Sequence, residues 1–323
     1  MKRLLLSTLI AIAGAASAQT YPNKIVRIVV PTVPGNAADI TARLITERLT
    51  RRFGQPVIVE NRPGGAATGS IAASYVAKSA PDGYTLLMTS TSFAINTALF
   101  AQLPYDIEKE FDAVAQVAQV GMMLVTGPNS TVKDVREFVQ LVRANPGKYD
   151  YATVGRGSIQ HLTMALFLSA IGGDMIAVPY KGSAPALVDV MSGTVPFIFD
   201  ALSSSGSHVN SGRVKALGMA GDKRAEVFPN VPTTAESGIP ELAKFSVIGW
   251  VGLLAPKGTP RAISATVNEA VMQAVQEKEI KEKLTAQGLE VLPPHPPEKF
   301  RDFLREDVAK WDAAARAAKL AKE

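Results

Sequence analysis

Ile25-Val-Arg-Ile-Val-Val30, then Pro31-Thr-Val-Pro-Gly-Asn36, then Ala37-Ala-Asp-Ile-Thr-Ala-Arg-Leu-Ile-Thr-Glu-Arg-Leu-Thr-Arg51 decide how this 323-residue chain is read. The first segment is an apolar, mostly β-branched run and reads as a strand, closed by Pro31. The Pro-Gly segment is a loop. The third segment reads as a helix, with Ile40, Leu44, Ile45 and Leu49 biased to one side. Downstream, Val57–Glu60 reads as a second strand, Asn61–Gly65 as a turn, Ala66–Lys78 as a small-residue helix and Thr85–Thr89 as a third strand after the Pro81-Asp-Gly-Tyr84 turn. Strands alternating with helices imply an α/β protein with a largely parallel sheet.

The alternation breaks at Ala113–Val120 and Met122–Thr126, two apolar runs separated by one glycine, which read as passage from one domain to another. It restarts with a helix over Val132–Ala144, a strand over Tyr149–Thr153, a glycine loop and a helix over Ser158–Ala170. A strand at Met175–Val178, a helix at Ala184–Met191, and strands at Phe197–Asp200 and Val214–Ala220 follow. The apolar run Val247–Leu254 reads as the return passage, and helices near Pro260–Gln276 and Pro297–Lys319 end the chain. Two α/β lobes with a cleft between them are therefore expected, one of residues 19–121 plus 249–323 and the other of residues 122–248.

Met1–Ala18 reads as a cleaved export signal: Lys2 and Arg3 ahead of the apolar stretch Leu4–Ala15, with small residues Ala16-Ser17-Ala18 before the cut. The stretch is short for a bilayer span, and no cysteine follows the cut to carry a lipid. A periplasmic protein free of the membrane is expected. Loss of Lys2 and Arg3 leaves 32 basic against 29 acidic residues, without a block of like charge, so nucleic acid is not an expected partner. The absence of cysteine excludes zinc–thiolate sites, iron–sulfur clusters, thiol nucleophiles and disulfides together.

Catalytic signatures fail one by one. No serine stands between glycines at the nucleophile-elbow spacing, and no H-E-x-x-H occurs. Gly147-Lys148 lacks the rest of a P-loop, and Gly155-Arg-Gly157 meets Gln160 where a dinucleotide fingerprint needs glycine. His161, His208 and His295 show no metal-ligand spacing. No metal, no cofactor and no enzyme activity are expected. The alternative is an exported hydrolase or isomerase using Ser158 with His161, three residues apart on a helix.

Anion-binding loops are better represented. Pro34-Gly35-Asn36 ends a strand-to-helix loop, so N–H groups of Asn36, Ala37 and Ala38 can point into the cleft. Gly155-Arg156-Gly157-Ser158 repeats the arrangement in the second lobe, and each follows a strand's C-terminal end, where open α/β sheets place ligands. Two helix N-termini facing one cleft suit a carboxylate; each glycine loop alone reads first as a structural turn, and it is the pairing across two lobes that favours binding. Ser90-Thr91-Ser92 offers hydroxyl donors or is a solvated loop. Asp39 either caps its own helix or receives a ligand amine, and Asp200 carries the same ambiguity. Arg156 pairs with a second ligand carboxylate or makes a surface salt bridge. His161 either packs its helix or touches ligand. Bulk at Gly157 is expected to weaken binding by blocking backbone approach.

Tyr21-Pro-Asn-Lys24 with Ile28-Val-Val-Pro31, Pro34-Gly35 with Asp39, Val59-Glu-Asn-Arg-Pro-Gly64 and Pro81-Asp-Gly-Tyr-Thr-Leu86 form an ordered set. It continues through His161-Leu162, Val178-Pro-Tyr-Lys-Gly182, Pro229-Asn-Val-Pro-Thr233, Glu236-Ser-Gly238 and Gly258-Thr-Pro260. With this set the chain resembles the Bug family of periplasmic solute receptors, the extracytoplasmic subunits of tripartite tricarboxylate transporters. The resemblance implies a type II periplasmic-binding-protein (Venus flytrap) fold with two mixed, mostly parallel sheets and a two-strand hinge. It implies a monomer that captures a small organic carboxylate and delivers it to a membrane permease. It places the carboxylate against Thr32–Ala38 and Gly155–Ser158, with Ser90–Ser92, Tyr180, Lys181 and Gly182 through Ala184, and Asp200–Ser203 completing the wall. Asn36 in place of a second glycine, and Arg156 in the glycine loop, depart from the usual pattern and leave the ligand's identity open; Arg156 points to a second acidic group on it. A sensory receptor subunit presenting ligand to a membrane kinase shares this chemistry and differs in partner.

Overall fold

The computed structural model describes residues 21–65, 67–318 and 320–322; the export-signal reading of residues 1–18 lies outside them. The chain order is β1 (Val26–Val30), α1 (Ala37–Phe53), β2 (Val57–Asn61), α2 (Ser70–Ala77), β3 (Thr85–Ser90), α3 (Ser92–Leu99), α4 (Ile107–Glu110) and β4 (Phe111–Thr126). It continues with α5 (Val135–Ala144), β5 (Asp150–Thr153), α6 (Ile159–Ile171), β6 (Ile176–Pro179), α7 (Ser183–Ser192), β7 (Phe197–Ala201), α8 (Leu202–Asn210) and β8 (Lys215–Met219). The last elements are β9 (Ile248–Pro256), α9 (Arg261–Gln276), α10 (Lys278–Ala286), β10 (Leu289–Val291) and α11 (Pro297–Ala317).

The strands run β2-β1-β3-β9-β4-β7-β5-β6, with β8 and β10 also on β4. β4 is the strand that joins two sheets. Its first part, Phe111–Gly121, lies antiparallel to β9, whereas Met122–Thr126 lies antiparallel to β7. Parallel pairing is confined to β1 with β2 and β3, and to β5 with β6 and β7. All pairings of β4 and β9 are antiparallel, so each sheet is mixed rather than mostly parallel. The chain returns to the first sheet where the Val247 N–H donates to the Ala220 carbonyl at 2.5 Å, just ahead of β9.

β1 buries Val26, Ile28, Val29 and Val30, so both its faces are covered, as a strand between helical layers requires. α11 turns Phe300, Leu304, Trp311 and Ala315 inward and lies against α3, β4 and α6. Four helices escaped the sequence reading, the four-residue α4 among them. α3 follows Ser90-Thr91 directly, α10 packs beside β10, and α8 (Leu-Ser-Ser-Ser-Gly-Ser-His-Val-Asn) is made of weak helix formers. α8 forms because Leu202, Ser205 and Gly206 pack down onto the sheet. A Cβ on Gly206 would stand 3.2 Å from the Phe228 ring, so the small residue permits that approach.

Candidate functional site

A cavity of about 330 Å³ opens where the C-terminal ends of β1, β3, β5, β6 and β7 converge. Five helices begin at its wall: α1 at Ala37, α3 at Ser92, α6 at Ile159 and Gln160, α7 at Ser183, and α8 just before Ser203. Loops of the two sheets meet there. Thr68 Oγ1 donates to the Arg156 carbonyl at 3.0 Å, and a Cβ on Gly182 would stand 3.0 Å from Val33 Cγ2.

The β1–α1 loop is built on Asp39. Asn36 caps α1 by accepting the Asp39 N–H at 2.9 Å, and the Asp39 carboxylate accepts the Gly35 N–H at 3.0 Å, a reciprocal cap. Arg43 Nε and Asn61 Nδ2 also donate to that carboxylate, and Asn61 Nδ2 reaches the Thr32 carbonyl. Burial pushes the Asp39 carboxyl up, but the hydrogen bonds from Arg43, Asn61 and Gly35 outweigh it and hold it below the ordinary range. Asp39 therefore shapes the loop from beneath. The N–H groups of Ala37 and Ala38 have no intrahelical partners.

On the β3 side, Thr91 Oγ1 accepts the Trp250 N–H at 2.8 Å. Trp250 is a lining residue whose indole donates to Asp307 Oδ2 at 2.7 Å, and Trp311 donates to the same oxygen at 2.9 Å. Burial raises the Asp307 carboxyl above its ordinary value, against the two indole hydrogen bonds.

In the second sheet, Asp200 lies fully buried at the end of β7. Its carboxylate accepts Ser183 Oγ at 2.7 Å, Ser204 Oγ at 2.5 Å and Gln160 Nε2 at 3.2 Å, and those three donors line the cavity. Burial raises the Asp200 carboxyl, and the hydrogen bonds oppose the shift. While Asp200 takes these hydroxyl protons, Ser183 and Ser204 turn lone pairs outward. Donors toward an anion are then the main-chain N–H groups and other hydroxyls.

The sequence-predicted residues divide. Thr32, Pro34, Gly35, Asn36, Ala37, Ser90, Thr91, Ser92, Gly182 and Ser203 line the cavity. Ala38 is buried on α1, and Asp39 and Asp200 stand behind the wall as described. The glycine loop is set back: the lining passes from Val154 to Ile159 and omits Gly155–Ser158. A Cβ on Gly157 would meet Asn96 Oδ1 at 2.4 Å, so bulk there strikes the facing sheet's α3 rather than the ligand's approach. Arg156 does not reach the cavity; its Nη2 donates to the Ala321 carbonyl at 2.5 Å. Ser158 Oγ donates to the Gly155 carbonyl at 2.6 Å and accepts the His161 main-chain N–H at 3.2 Å, which is a helix cap and not a nucleophile–base pair. His161 is buried on α6 outside the lining. Tyr180 turns its hydroxyl to Asp189 at 2.6 Å, and burial together with that carboxylate raises it to about 12. Lys181 is exposed. Thr68, Gly69, Gln160, Ser204, His208 and Trp250 also line the cavity and escaped the sequence reading. Only Gln160 and Ser204 carried a signal, each lying within two residues of a predicted site residue.

The electrostatics are distinctive. Among the described residues, no Lys, Arg, Asp or Glu lines the cavity, and His208 is its one imidazole. α3, α7 and α8 lack side-chain N-caps, so main-chain N–H groups of their first turns are left to face the cavity, with the buried Asp200 carboxylate behind the wall taking Ser183 Oγ of α7 and Ser204 Oγ of α8. Buried side-chain atoms without a protein partner include Thr32 Oγ1, Ser203 Oγ and His208 Nδ1, each on a lining residue. Ile40, Phe93, Val120, Ile159, Leu187 and Trp250 supply apolar wall. This arrangement can hold a small anion with an aliphatic body. A larger cavity of about 410 Å³ lies by β4's other face, lined by Gln119 and Gly121 and by mixed charges including Asp222, Lys223, Arg224 and Glu290. It has no converging helix starts. Among the described residues, no group of three or more His, Asp or Glu could hold a metal, and no helix is long and apolar enough to cross a membrane.

The family model for the tripartite tricarboxylate transporter family receptor matches residues 41–320. Protein BugT of Bordetella pertussis is 36% identical over 323 residues, covering 98% of this chain and 97% of its own. A Rhodopseudomonas palustris protein solved with adipate aligns with a TM-score of 0.88 at 31% identity, over 94% of this chain and 100% of that one. MatC of Rhodopseudomonas palustris, with bound malate, gives a TM-score of 0.85 at 33% identity, over 91% of this chain and 99% of that one. A match over most of its length and relatives aligned nearly end to end place this chain in the tripartite tricarboxylate transporter receptor (TctC, or Bug) family of solute-binding proteins.

Proposed function

We propose that this protein captures a small organic carboxylate, a dicarboxylate before an aromatic or tricarboxylic acid, in the periplasm and delivers it as a monomer to the membrane permease of a tripartite tricarboxylate transporter. The observation that carries the reading is the convergence of helix N-termini, three without side-chain caps, on a cavity free of acidic side chains. The adipate and malate held by structural relatives support the same ligand class. The lobes we propose are residues 19–121 with 249–323, and residues 122–248; the change of β4's partners between Gly121 and Met122 supports that division. Ligand bridging both lobes stabilises the closed form by its differential affinity. Ser158's role as a cap leaves the hydrolase alternative without its nucleophile.

A thermal-shift panel of organic acids, amino acids and neutral sugars tests the reading. An acid at a hundredfold excess over Kd adds about 2.7 kcal/mol of stability, which corresponds to a rise of roughly 5–10 °C in Tm. A neutral sugar that raises Tm while no acid does would refute it.

A further inference from the structure

His208 is unused in the binding scheme above, which needs only helix N-termini and hydroxyls. It lines the cavity from α8, and its Nδ1 is buried without a protein partner. Ala201, Ser204 and His208 all face the cavity, a spacing of three and then four residues that defines one stripe of the helix. The stripe runs from the first turn of α8, where Ser203 Oγ is buried without a protein partner, to the imidazole. Leu202 and His208 are separated by roughly 9 Å along the axis at 1.5 Å per residue. Helical side chains lean toward the N-terminus, so the imidazole reaches back over that gap. The remaining separation suits the two ends of a diacid of four to six carbons. The main chain is anchored at this end of α8: the His208 carbonyl accepts the Arg213 N–H at 2.9 Å and the Val214 N–H at 3.3 Å.

We propose that His208 receives the second carboxylate of a dicarboxylic ligand and so makes the protein select diacids over monoacids of equal length. The inference rests on the carboxylate reading above and assigns the residue that reads the ligand's far end. Two charged groups act on the imidazole. Burial and the Arg213 guanidinium favour its neutral form, and Asp200, one turn or more back at the end of β7, favours the cation. A second carboxylate adds to the side of Asp200, so a diacid binds with uptake of a proton by His208. Affinity for the diacid is therefore greatest at acid pH and declines as pH rises from the free imidazole's depressed value through the higher value of the complex. A monoacid that leaves His208 untouched shows no such decline.

The test is calorimetric titration of the full chain with succinate against butyrate and adipate against hexanoate, at pH 6 and pH 8, for wild type, His208→Gln and His208→Ala. Wild type is expected to prefer a diacid over its monoacid partner about tenfold or more at pH 6, as a charge-assisted contact implies, and less at pH 8. Both variants lose the preference and its pH dependence while holding the monoacid within about threefold of wild type. A diacid preference that survives in both variants overturns the assignment, and so does an equal loss of both acids. A wild type that binds monoacid and diacid alike also rejects His208's role but leaves the carboxylate reading standing. A wild type that binds none of the four acids overturns the assignment, and the wider organic-acid panel then decides the carboxylate reading separately.

Discussion

Replacement of Gly157 by alanine separates backbone strain from closure of the cleft. Gly157 has φ +81°, in the left-handed region. An L-residue there costs about 1–2 kcal/mol whether the cleft is open or shut. The new Cβ would also stand 2.4 Å from Asn96 Oδ1 and 3.1 Å from a Phe100 ring carbon. Asn96 cannot yield freely, because it is fully buried and its Nδ2 donates to the Thr68 carbonyl at 2.9 Å and the Tyr105 hydroxyl at 3.1 Å. Giving up one or both bonds costs about 1–3 kcal/mol. On the proposed lobe division and closure, that second cost arises only when the glycine loop seats against α3. Melting without ligand therefore reports the strain. Calorimetric titration reports the clash as a loss of affinity of about 5- to 150-fold. A lower Tm with unchanged affinity would show that the Gly157–Asn96 contact is not made on closing, and would remove the loop from the closure mechanism.

Asp307→Ala leaves the buried Trp250 and Trp311 indole N–H groups without their shared acceptor. A destabilisation of about 2–4 kcal/mol is expected from the two orphaned donors, reduced by relief of the buried carboxyl, and denaturant unfolding measures it. Asp200 has a folded-state carboxyl pKa raised by burial, so its contribution to stability is greatest below the ordinary carboxylate value and falls as pH rises through the raised one. Asp200→Asn lacks that term; the difference in Tm, variant minus wild type, should become more positive from pH 4 to pH 7, and a pH-independent difference would contradict the shift. Asp39 behaves oppositely: its carboxyl is held low, so its stabilisation is present at neutral pH and lost on acidification. Asp39→Asn should accordingly cost Tm at pH 7 and approach wild type near pH 3, with weaker ligand affinity at neutral pH because the Gly35 N–H loses its charged acceptor.

Much of the fold was legible because its information is local. The β1–loop–α1 unit announces itself through an apolar strand, Pro31, and the Asn36 to Asp39 spacing of a reciprocal cap. The two crossings stood out as long apolar runs, since β4 and β9 are buried along almost their whole length. What failed depended on contacts made far away in sequence. Arg156 sits in the expected loop, yet only the fold brings the Ala321 carbonyl to its guanidinium and so turns it from the cavity. α8 was invisible because Ser-Ser-Ser-Gly-Ser carries no helical preference, and with it went Ser204 and His208. Trp250 reads as one more core residue in an apolar run; its place in the wall follows from Thr91 and Asp307, 159 and 57 residues away.

Titration of one acid against its own primary amide isolates the anion's contribution to binding while length and apolar body stay fixed. With adipate and adipamide at pH 6, the acid should bind and release heat while the diamide, equal in reach but uncharged, binds at least about a hundredfold more weakly. Equal affinity for the pair, or tighter binding of the diamide, would contradict a cavity built from helix N-termini to hold negative charge.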